Sequence, residues 1–429
     1  MFRVVLVGAG DRGMIYARQS LAPQSQFQIS GVVEPNALRR KKAQELFRLP
    51  DHRLYESVES LVRDEKIADA AFNCTMDALH TVTSLPLMEK GYHILLEKPI
   101  AVTRQDAMRI IDCARRERRI VMVCHVLRYS PFYTAIRRIV RDGEIGRVIS
   151  IQMAEDVSYF HESVSYVRGF YADPAVCGSG MLLSKCSHDL DLMAWLMDQD
   201  LPTRVFSAGS VFQFRPENAP EGAGTRCLVD CKCEQKCIYS ARRLYVDHPQ
   251  RWANRVWNDC ALSEGSDAEK LESLKSENNP YGRCVYKTDL KIVDHQSLLV
   301  NFRSGATGTF TMTGGASAPG RSLHIIGTRG EIQGTFEDHA FTVSLIHPDI
   351  PGGCLKRQVS VSAGSRPGDA HGGGDENILQ DFFALLDHRE PSICCTSLEA
   401  SVIGHNIVYG AEESRLTGLP VPLDVPGNR

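Results

Sequence analysis

Residues 2 to 7, FRVVLV, run directly into Gly8-Ala9-Gly10-Asp11-Arg12-Gly13, after which helix-compatible sequence follows. A short valine-rich run, a glycine turn and a helix start read as the opening strand, loop and helix of a dinucleotide-binding unit. Glycine at 8 permits a tight turn, at 10 it lets backbone approach a pyrophosphate, and at 13 it allows close packing of helix on strand. The helix start then presents free N–H groups to phosphates, with Asp11 and Arg12 counted among the cofactor contacts.

A second strand, FQISGVV, ends at Glu34, close to the ~20-residue spacing at which an acid meets the adenosine ribose hydroxyls. A carboxylate there repels a 2'-phosphate and favours NAD over NADP, while Arg39 and Arg40 nearby keep NADP open. Further strands (IADAAFNCT, YHILL, RIVMVCH) alternate with helices near 79 to 90 and 103 to 118. That rhythm predicts a doubly wound parallel sheet, helices on both faces, over residues 1–125. Thr75 and His80 join the expected cofactor contacts.

The whole chain has 429 residues, more than one core usually serves, so a second domain over 126–429 is expected. Its strands (RVISIQMAED, TRVFSAGSVFQF, SLLVNF, ATGTFTMT, SLHIIGT) are separated by short glycine-bearing turns and predict mainly antiparallel sheet. A polar stretch, 262 to 280, reads as an exposed insertion, and amphipathic segments lie near 375 to 388 and 397 to 416. A net charge of −3 with mixed signs leaves no footprint for nucleic acid or an anionic membrane. The first residues lack a secretion signal and no apolar run reaches membrane-spanning length, so a cytoplasmic location is expected.

A later strand of the first sheet ends in Glu97-Lys98-Pro99, at the edge where parallel sheets form their ligand crevice. Together with the glycine motif, Glu34 and the helix start Lys185-Cys186-Ser187-His188-Asp189, this tripeptide resembles the Gfo/Idh/MocA oxidoreductase family over nearly the whole chain. The resemblance implies an amino-terminal Rossmann domain and a carboxy-terminal α/β domain. The open-faced sheet of the second carries substrate and contacts between copies in a homo-oligomer, and one terminal helix packs back on the first. It further implies NAD(P)-dependent oxidation or reduction of a sugar, sugar derivative or cyclitol hydroxyl. Lys98 matches the family lysine beside the nicotinamide and the reacting hydroxyl, and His188 the acid/base or substrate-orienting histidine. Many family dehydrogenases carry aspartate four residues before that histidine; this chain has Ser184, followed by Lys185.

If the stretch from 184 is helical, Ser184, Lys185, His188 and Asp191 share one side and Leu190, Met193, Ala194 and Met197 the other, with Ser184 or Ser187 as cap. Alcohol oxidation needs a base near the hydroxyl, which His188 suits, and Lys98 or Lys185 is a second base or alkoxide stabiliser. His125, Arg128, Tyr166, Arg168, Asp189 and His295 are taken as substrate contacts. His161 and His371, the latter before three glycines, read as surface or structural. Two other functions stay open: an NAD-retaining, redox-neutral glycoside-cleaving enzyme acting through a transient keto sugar, and a non-catalytic dinucleotide sensor. Fourteen cysteines in a reducing compartment argue against a disulfide framework. The density of RCLVDCKCEQKC, in a cysteine-rich insertion over 227–284, points to a structural zinc on Cys227, Cys231, Cys237 and Cys284.

Overall fold

The computed structural model describes residues 1–197, 200–249, 254–257, 260, 262–363 and 371–423. Strands β1 (Phe2–Val7), β2 (Phe27–Val33), β3 (Leu54–Tyr55), β4 (Ala70–Asn73), β5 (His93–Leu96) and β6 (Val121–Val123) form a sheet in the order β3-β2-β1-β4-β5-β6. Every pairing in it is parallel. Val4, Val5, Leu6 and Val7 are all buried, because helices cover both faces, and so β1 reads as an unbroken apolar run without alternation. Strand order reverses between β1 and β4, the switch point at which such sheets bind ligands, and the glycine turn leaves β1 there.

The second sheet is built from β7 (Val148–Ser158), β8 (Pro202–Ser210), β9 (His295–Phe302), β10 (Thr307–Ala316), β11 (Gly320–Gly327), β12 (Gly330–Thr335), β13 (Ala340–Ile346), β14 (Cys354–Ser360) and β15 (Val421–Pro422). Its order is β14-β13-β12-β11-β7-β10-β9-β8-β15. Apart from the parallel pair β7 and β10 its pairings are antiparallel. Gln296, Leu298, Val300 and Phe302 of β9 are buried while Ser297, Leu299 and Asn301 are exposed. One face is therefore packed and the other open. The strand expected to continue from β8 through Phe214 stops at Ser210, because the amides of Phe212, Gln213 and Phe214 turn onto the Asp294 carboxylate at 2.9, 2.6 and 3.2 Å.

One apolar cluster runs from Leu6 and Phe72 of the first sheet, through Leu190 and Met193 of the helix Ser187–Leu196, to Ile151 and Phe310 of the second. The sheets are thus joined by packing as well as by chain. The helix Gly374–Leu386 returns to the first sheet, where Phe383 stacks on Phe27 with ring centroids 4.9 Å apart. Such a pair contributes about 0.5–1.5 kcal/mol beyond its buried area and holds the later part of that helix on the first sheet. The helix Leu398–Thr417 adds Leu398 and Val402 to the cluster on the opposite face of the first sheet. A Cβ at Gly404 would lie 2.6 Å from the Cα of Asp191, so this helix crosses Ser187–Leu196 at backbone contact. A third cluster, rich in aromatics (Phe214, Tyr239, Tyr245, Trp257, Tyr286), forms the core of the cysteine-bearing insertion. No helix among the described residues is long and apolar enough to cross a membrane.

Candidate active site

The glycine turn is shaped by three different demands. Gly8 has φ +90° and a Cβ there would lie 2.5 Å from the Cys74 carbonyl oxygen; a Cβ at Gly13 would lie 2.1 Å from the carbonyl oxygen of Gly8. Both positions exclude a side chain. At Gly10 the nearest atom to such a Cβ is 3.9 Å away, on Arg39, so nothing in the protein fills the space above it. A cavity of about 540 Å³ opens here, lined by Ala9, Gly10, Asp11, Arg18, Arg39 and Lys42 among others. Glu34 is buried behind Ala9, accepting the amides of Ala9 at 2.8 Å and Asn36 at 2.9 Å. Arg40 turns away to Glu56 at 2.9 Å.

Arg12 does not line that cavity. Its guanidinium meets Glu97 at 2.7 Å and Asp375 at 2.6 Å. Glu97 also accepts the Tyr16 hydroxyl at 2.9 Å and the Lys98 amide at 2.8 Å. Burial works against the Glu97 charge, but Arg12, Lys98 and these hydrogen bonds hold the carboxyl below its usual range. Both residues were expected at the cofactor; within the protein they brace the strand end from which Lys98 projects. Thr75 donates its hydroxyl to Asn73 at 2.9 Å, and His80 bridges the carbonyls of Pro99 (2.6 Å) and Thr75 (3.1 Å). The Lys98–Pro99 bond is cis.

Lys98 reaches across to the second sheet's side, donating from Nζ to the carbonyl of Ser184. Burial lowers its pKa and Lys185 adds to that, against the pull of Glu97 and Asp77. His188 stands beyond it. Its ring is buried, with Nδ1 unpartnered within the protein, and its pKa is well below the ordinary value because of burial first, then Lys98, His125 and His371. The three imidazoles form a row: His125 lies 5.6 Å and His371 5.9 Å from His188, ring centre to ring centre. His125 is likewise held neutral by burial and by Arg128 and Lys98, with both nitrogens unpartnered.

The helix begins at Ser187, not 184. Met181–Ser184 is a separate turn, broken at Lys185 and Cys186, and Cys186 takes the cap position without a side-chain bond. The break scatters the side chains that a continuous helix would align. Lys185 swings to Glu155 of β7 at 3.1 Å. Asp189 joins Arg321 of β11 at 3.1 Å, and Arg321 meets Glu155 at 2.6 Å, closing a four-member charged cluster. Within it burial, against the pull of Arg321, pushes Asp189 up to about 7. Asp191 points elsewhere, into a two-pronged pair with Arg128 at 2.5 and 2.7 Å.

Three expected substrate contacts are engaged with partners within the protein. Arg128 is spent on Asp191 and lies over the Trp195 ring at 5.5 Å. Arg168 is buried in the insertion, donating to the carbonyls of Arg283 (2.6 Å) and Tyr239 (2.8 Å). His295 pairs with Asp294 at 2.9 Å and faces Phe212. Tyr166 does stay near the cleft: it is buried, stacked on Tyr171 at 5.4 Å, with Ser184 among its hydrogen-bond partners. Its segment Glu162–Val167 is π-helical, a local irregularity frequent at functional sites. Glu155, Arg321 and Asp375 were not singled out in the sequence, and His371 was set aside. The one available signal was the i, i+4 spacing of His371 and Asp375 across the glycines.

The zinc expectation finds no support. Among the described residues no group of three or more His, Cys, Asp or Glu side chains is arranged to hold a metal ion. Cys227 accepts a hydrogen bond from Arg168 at 3.4 Å, so a fixed cation occupies its surroundings. Cys231 faces Cys233 at 3.6 Å instead of a common centre. Burial raises the thiol pKa of Cys237 and Cys284. Cys227, Cys237 and Cys284 belong to an aromatic core stapled by a buried arginine.

Comparison with known proteins agrees with this geometry. Residues 2–125 match the family model described as the oxidoreductase family, NAD-binding Rossmann fold, and residues 133–241 match the GFO/IDH/MocA C-terminal domain. The chain is 25% identical over 402 residues to a putative oxidoreductase, YteT, of Bacillus subtilis, covering 90% of both chains. It is 27% identical over 222 residues to an inositol 2-dehydrogenase of Streptomyces avermitilis, covering 51% of this chain and 59% of that one. Among solved structures, a levoglucosan dehydrogenase in complex with NADH and levoglucosan superposes with a TM-score of 0.71 at 18% identity, over 99% of both chains.

Proposed function

This chain belongs to the Gfo/Idh/MocA oxidoreductase family, and from that premise we propose that it is an NAD-dependent dehydrogenase acting on a ring hydroxyl of a sugar, sugar derivative or cyclitol. The observation that carries the reading is the approach of Lys98, from the switch-point edge of the first sheet, to the Ser184 carbonyl on the turn that precedes the His188 helix. A hydroxyl lying between an ammonium and a neutral imidazole has a donor for its oxygen and an acceptor for its proton, which alcohol oxidation requires.

The glycine turn fits a dinucleotide. Open space above Gly10 admits a pyrophosphate to the backbone, and Glu34 stands where an adenosine ribose is read. When bound, the nicotinamide supplies the hydride acceptor. The rest is the work of side chains. Lys98, kept partly desolvated and anchored on the Ser184 carbonyl, stabilises negative charge developing on the substrate oxygen. His188, neutral and with Nδ1 unpartnered, hydrogen-bonds the hydroxyl. The charged cluster Glu155-Lys185-Asp189-Arg321 gives the wall polar groups for further hydroxyls. Relatives that act on inositol or levoglucosan support a polyhydroxylated ring as substrate.

The test is a NADH absorbance assay of the full chain with NAD or NADP and a panel containing myo-inositol, levoglucosan and common aldoses. A rise in NADH with at least one of them is expected. No turnover with any, together with no heat on titrating either dinucleotide, would overturn the reading.

A further inference from the structure

The outer loop of the cysteine-bearing insertion is held in shape by its backbone. The Asp230 carboxylate accepts the amides of Thr225 and Arg226, each at 2.8 Å, and the Thr225 hydroxyl at 2.9 Å. The Lys232 amide donates to the Gly222 carbonyl at 2.9 Å. Arg226 pairs with Arg283 in an isolated bridge, and the Cys284 amide donates to the Thr225 carbonyl at 2.8 Å. The loop is thus fastened at both ends and to the segment that carries Cys284.

This frame sets two thiols side by side. Cys231 and Cys233 flank Lys232 in a turn, with their sulfurs 3.6 Å apart. Closing that gap to the S–S bond length of about 2.05 Å is a movement within reach of side-chain rotation. Both residues are half-exposed, whereas Cys227 and Cys284 are buried, and Cys227 is held by Arg168. The pair is therefore open to reagents from which those two core members are shielded. Burial first, then the neighbouring Cys231 sulfur, pushes the Cys233 thiol up to about 11. Cys233 thus keeps its proton, and its S–H donates to the sulfur of Cys231. Exposed Lys232 and Lys236 lie close by in the chain, and cations of this kind favour a thiolate.

We propose that Cys231 and Cys233 are a dithiol redox site, oxidised to a disulfide by exchange with a small-molecule disulfide, the oxidised form of a low-molecular-weight thiol. The Cys231 sulfur, as thiolate, attacks one sulfur of the small disulfide. A mixed S–S bond forms, the old S–S bond breaks, and the departing thiolate takes up a proton. Cys233 then gives up its own proton to water and attacks the Cys231 sulfur, which forms the bond within the chain and releases the second small thiol. Two protein thiols are oxidised by two electrons, and one small disulfide is reduced to two thiols. The new bond closes a loop with a single residue between its ends, so it adds little to stability, and exposed disulfides of this kind are readily reduced again. The site lies outside the Lys98–His188 cleft and stands whatever that cleft turns over.

The test uses the full-length chain, first reduced, then held with oxidised glutathione at neutral pH, blocked with iodoacetamide while folded, and digested with trypsin. Cleavage after Lys232 parts the two thiols onto the peptides Cys227–Lys232 and Cys233–Lys236, which only a disulfide can join. A linked pair is expected from chains that run as monomers on a non-reducing gel, with fragmentation placing the bond on Cys231 and dithiothreitol abolishing it. Cys233→Ser should trap the glutathione adduct on Cys231. Cys231→Ser, whose remaining thiol keeps its proton, should carry at least ~10-fold less adduct. Two thiols alkylated as fully after the oxidant as before it would overturn the proposal. So would a bond from either sulfur to Cys227, Cys237 or Cys284, or a linked pair found only in covalent dimers. Equal adducts on the two single variants would overturn the assignment of Cys231 as the attacking sulfur.

Discussion

The edge of the first sheet and the cleft beside it are made from the same kinds of side chain and are finished differently. At the edge, Glu34 accepts two amides, Glu97 accepts an arginine, a tyrosine hydroxyl and an amide, and Asn73 bonds Thr75, Thr83 and Ser84. In and around the cleft, both nitrogens of His125, Nδ1 of His188, the hydroxyl of Ser187 and both oxygens of Glu162 are buried without a partner in the protein. An unmade bond of this kind costs about 1–3 kcal/mol, so such atoms persist where something other than stability is served. The contrast teaches that the edge binds through backbone geometry that packing alone can enforce, whereas the cleft binds through side chains left short of partners.

The largest expected effect separates the two regions. Lys98 stands at their border, and Lys98→Ala should lower kcat by ~10²–10⁴-fold with unchanged NAD affinity, read by NADH formation and by calorimetry. Lys98→Met, which keeps the bulk without the charge, should do the same. If either variant weakens NAD binding as much as turnover, edge and cleft are one site and the contrast breaks.

A smaller effect concerns stability. His405 closes the imidazole row 5.2 Å from His125, accepting the Ile100 amide on Nε2 at 2.9 Å and donating from Nδ1 to Ser401 at 3.0 Å. Burial, and then His125, pushes its pKa from 6.5 down to about 3. The unfolded ring takes up a proton as pH falls through 6.5 while the folded ring stays neutral until about 3. The stabilisation is therefore complete above 6.5 and drains away as pH falls toward 3. Urea midpoints of the wild type should drop over that window by an amount equivalent to on the order of 2–4 kcal/mol. His405→Asn should be less stable at neutral pH and show a flatter slope. An unchanged slope would mean that this end of the row is already finished, like the edge.

The same contrast explains what was legible in the residues. The parallel sheet, the glycine turn, Glu34 and the strand end at Lys98 could be read because each is a local pattern: apolar runs, a fixed glycine spacing, one acid at one distance. Helices near 79 to 90 and 103 to 118 appear as His80–Glu89 and Arg104–Arg116 for the same reason. The cleft resisted reading because its partners are far apart in sequence. Arg321 meets Asp189 across 132 positions, and Arg12 meets Asp375 across 363. No periodicity reveals that Arg128 is used up by Asp191, or that Arg168 is drawn into the insertion instead of the site. The break at Lys185 was hidden by an apolar run that looked continuous. The cysteine cluster misled for the opposite reason: its members are close in sequence, but an arginine and a set of aromatic rings, contributed from elsewhere, decide what surrounds them.

The smallest effect tests whether the edge is read by shape alone. Glu34 carries its charge beside a cavity whose other side bears Arg18, Arg39 and Lys42, so a 2'-phosphate meets Glu34, Asp11 and Glu45 as repulsive groups against three basic ones. Glu34→Gln keeps the length and an acceptor for the Ala9 amide while removing the charge, which isolates electrostatics from packing. The Kd for NADP relative to NAD, measured by calorimetry at fixed salt, is expected to improve about 10-fold, equivalent to about 1.4 kcal/mol. The gain should shrink as salt is raised, because the basic side chains that produce it line an open cavity. A ratio that does not move at any salt concentration would show that the backbone turn, and not Glu34, sets the choice of dinucleotide.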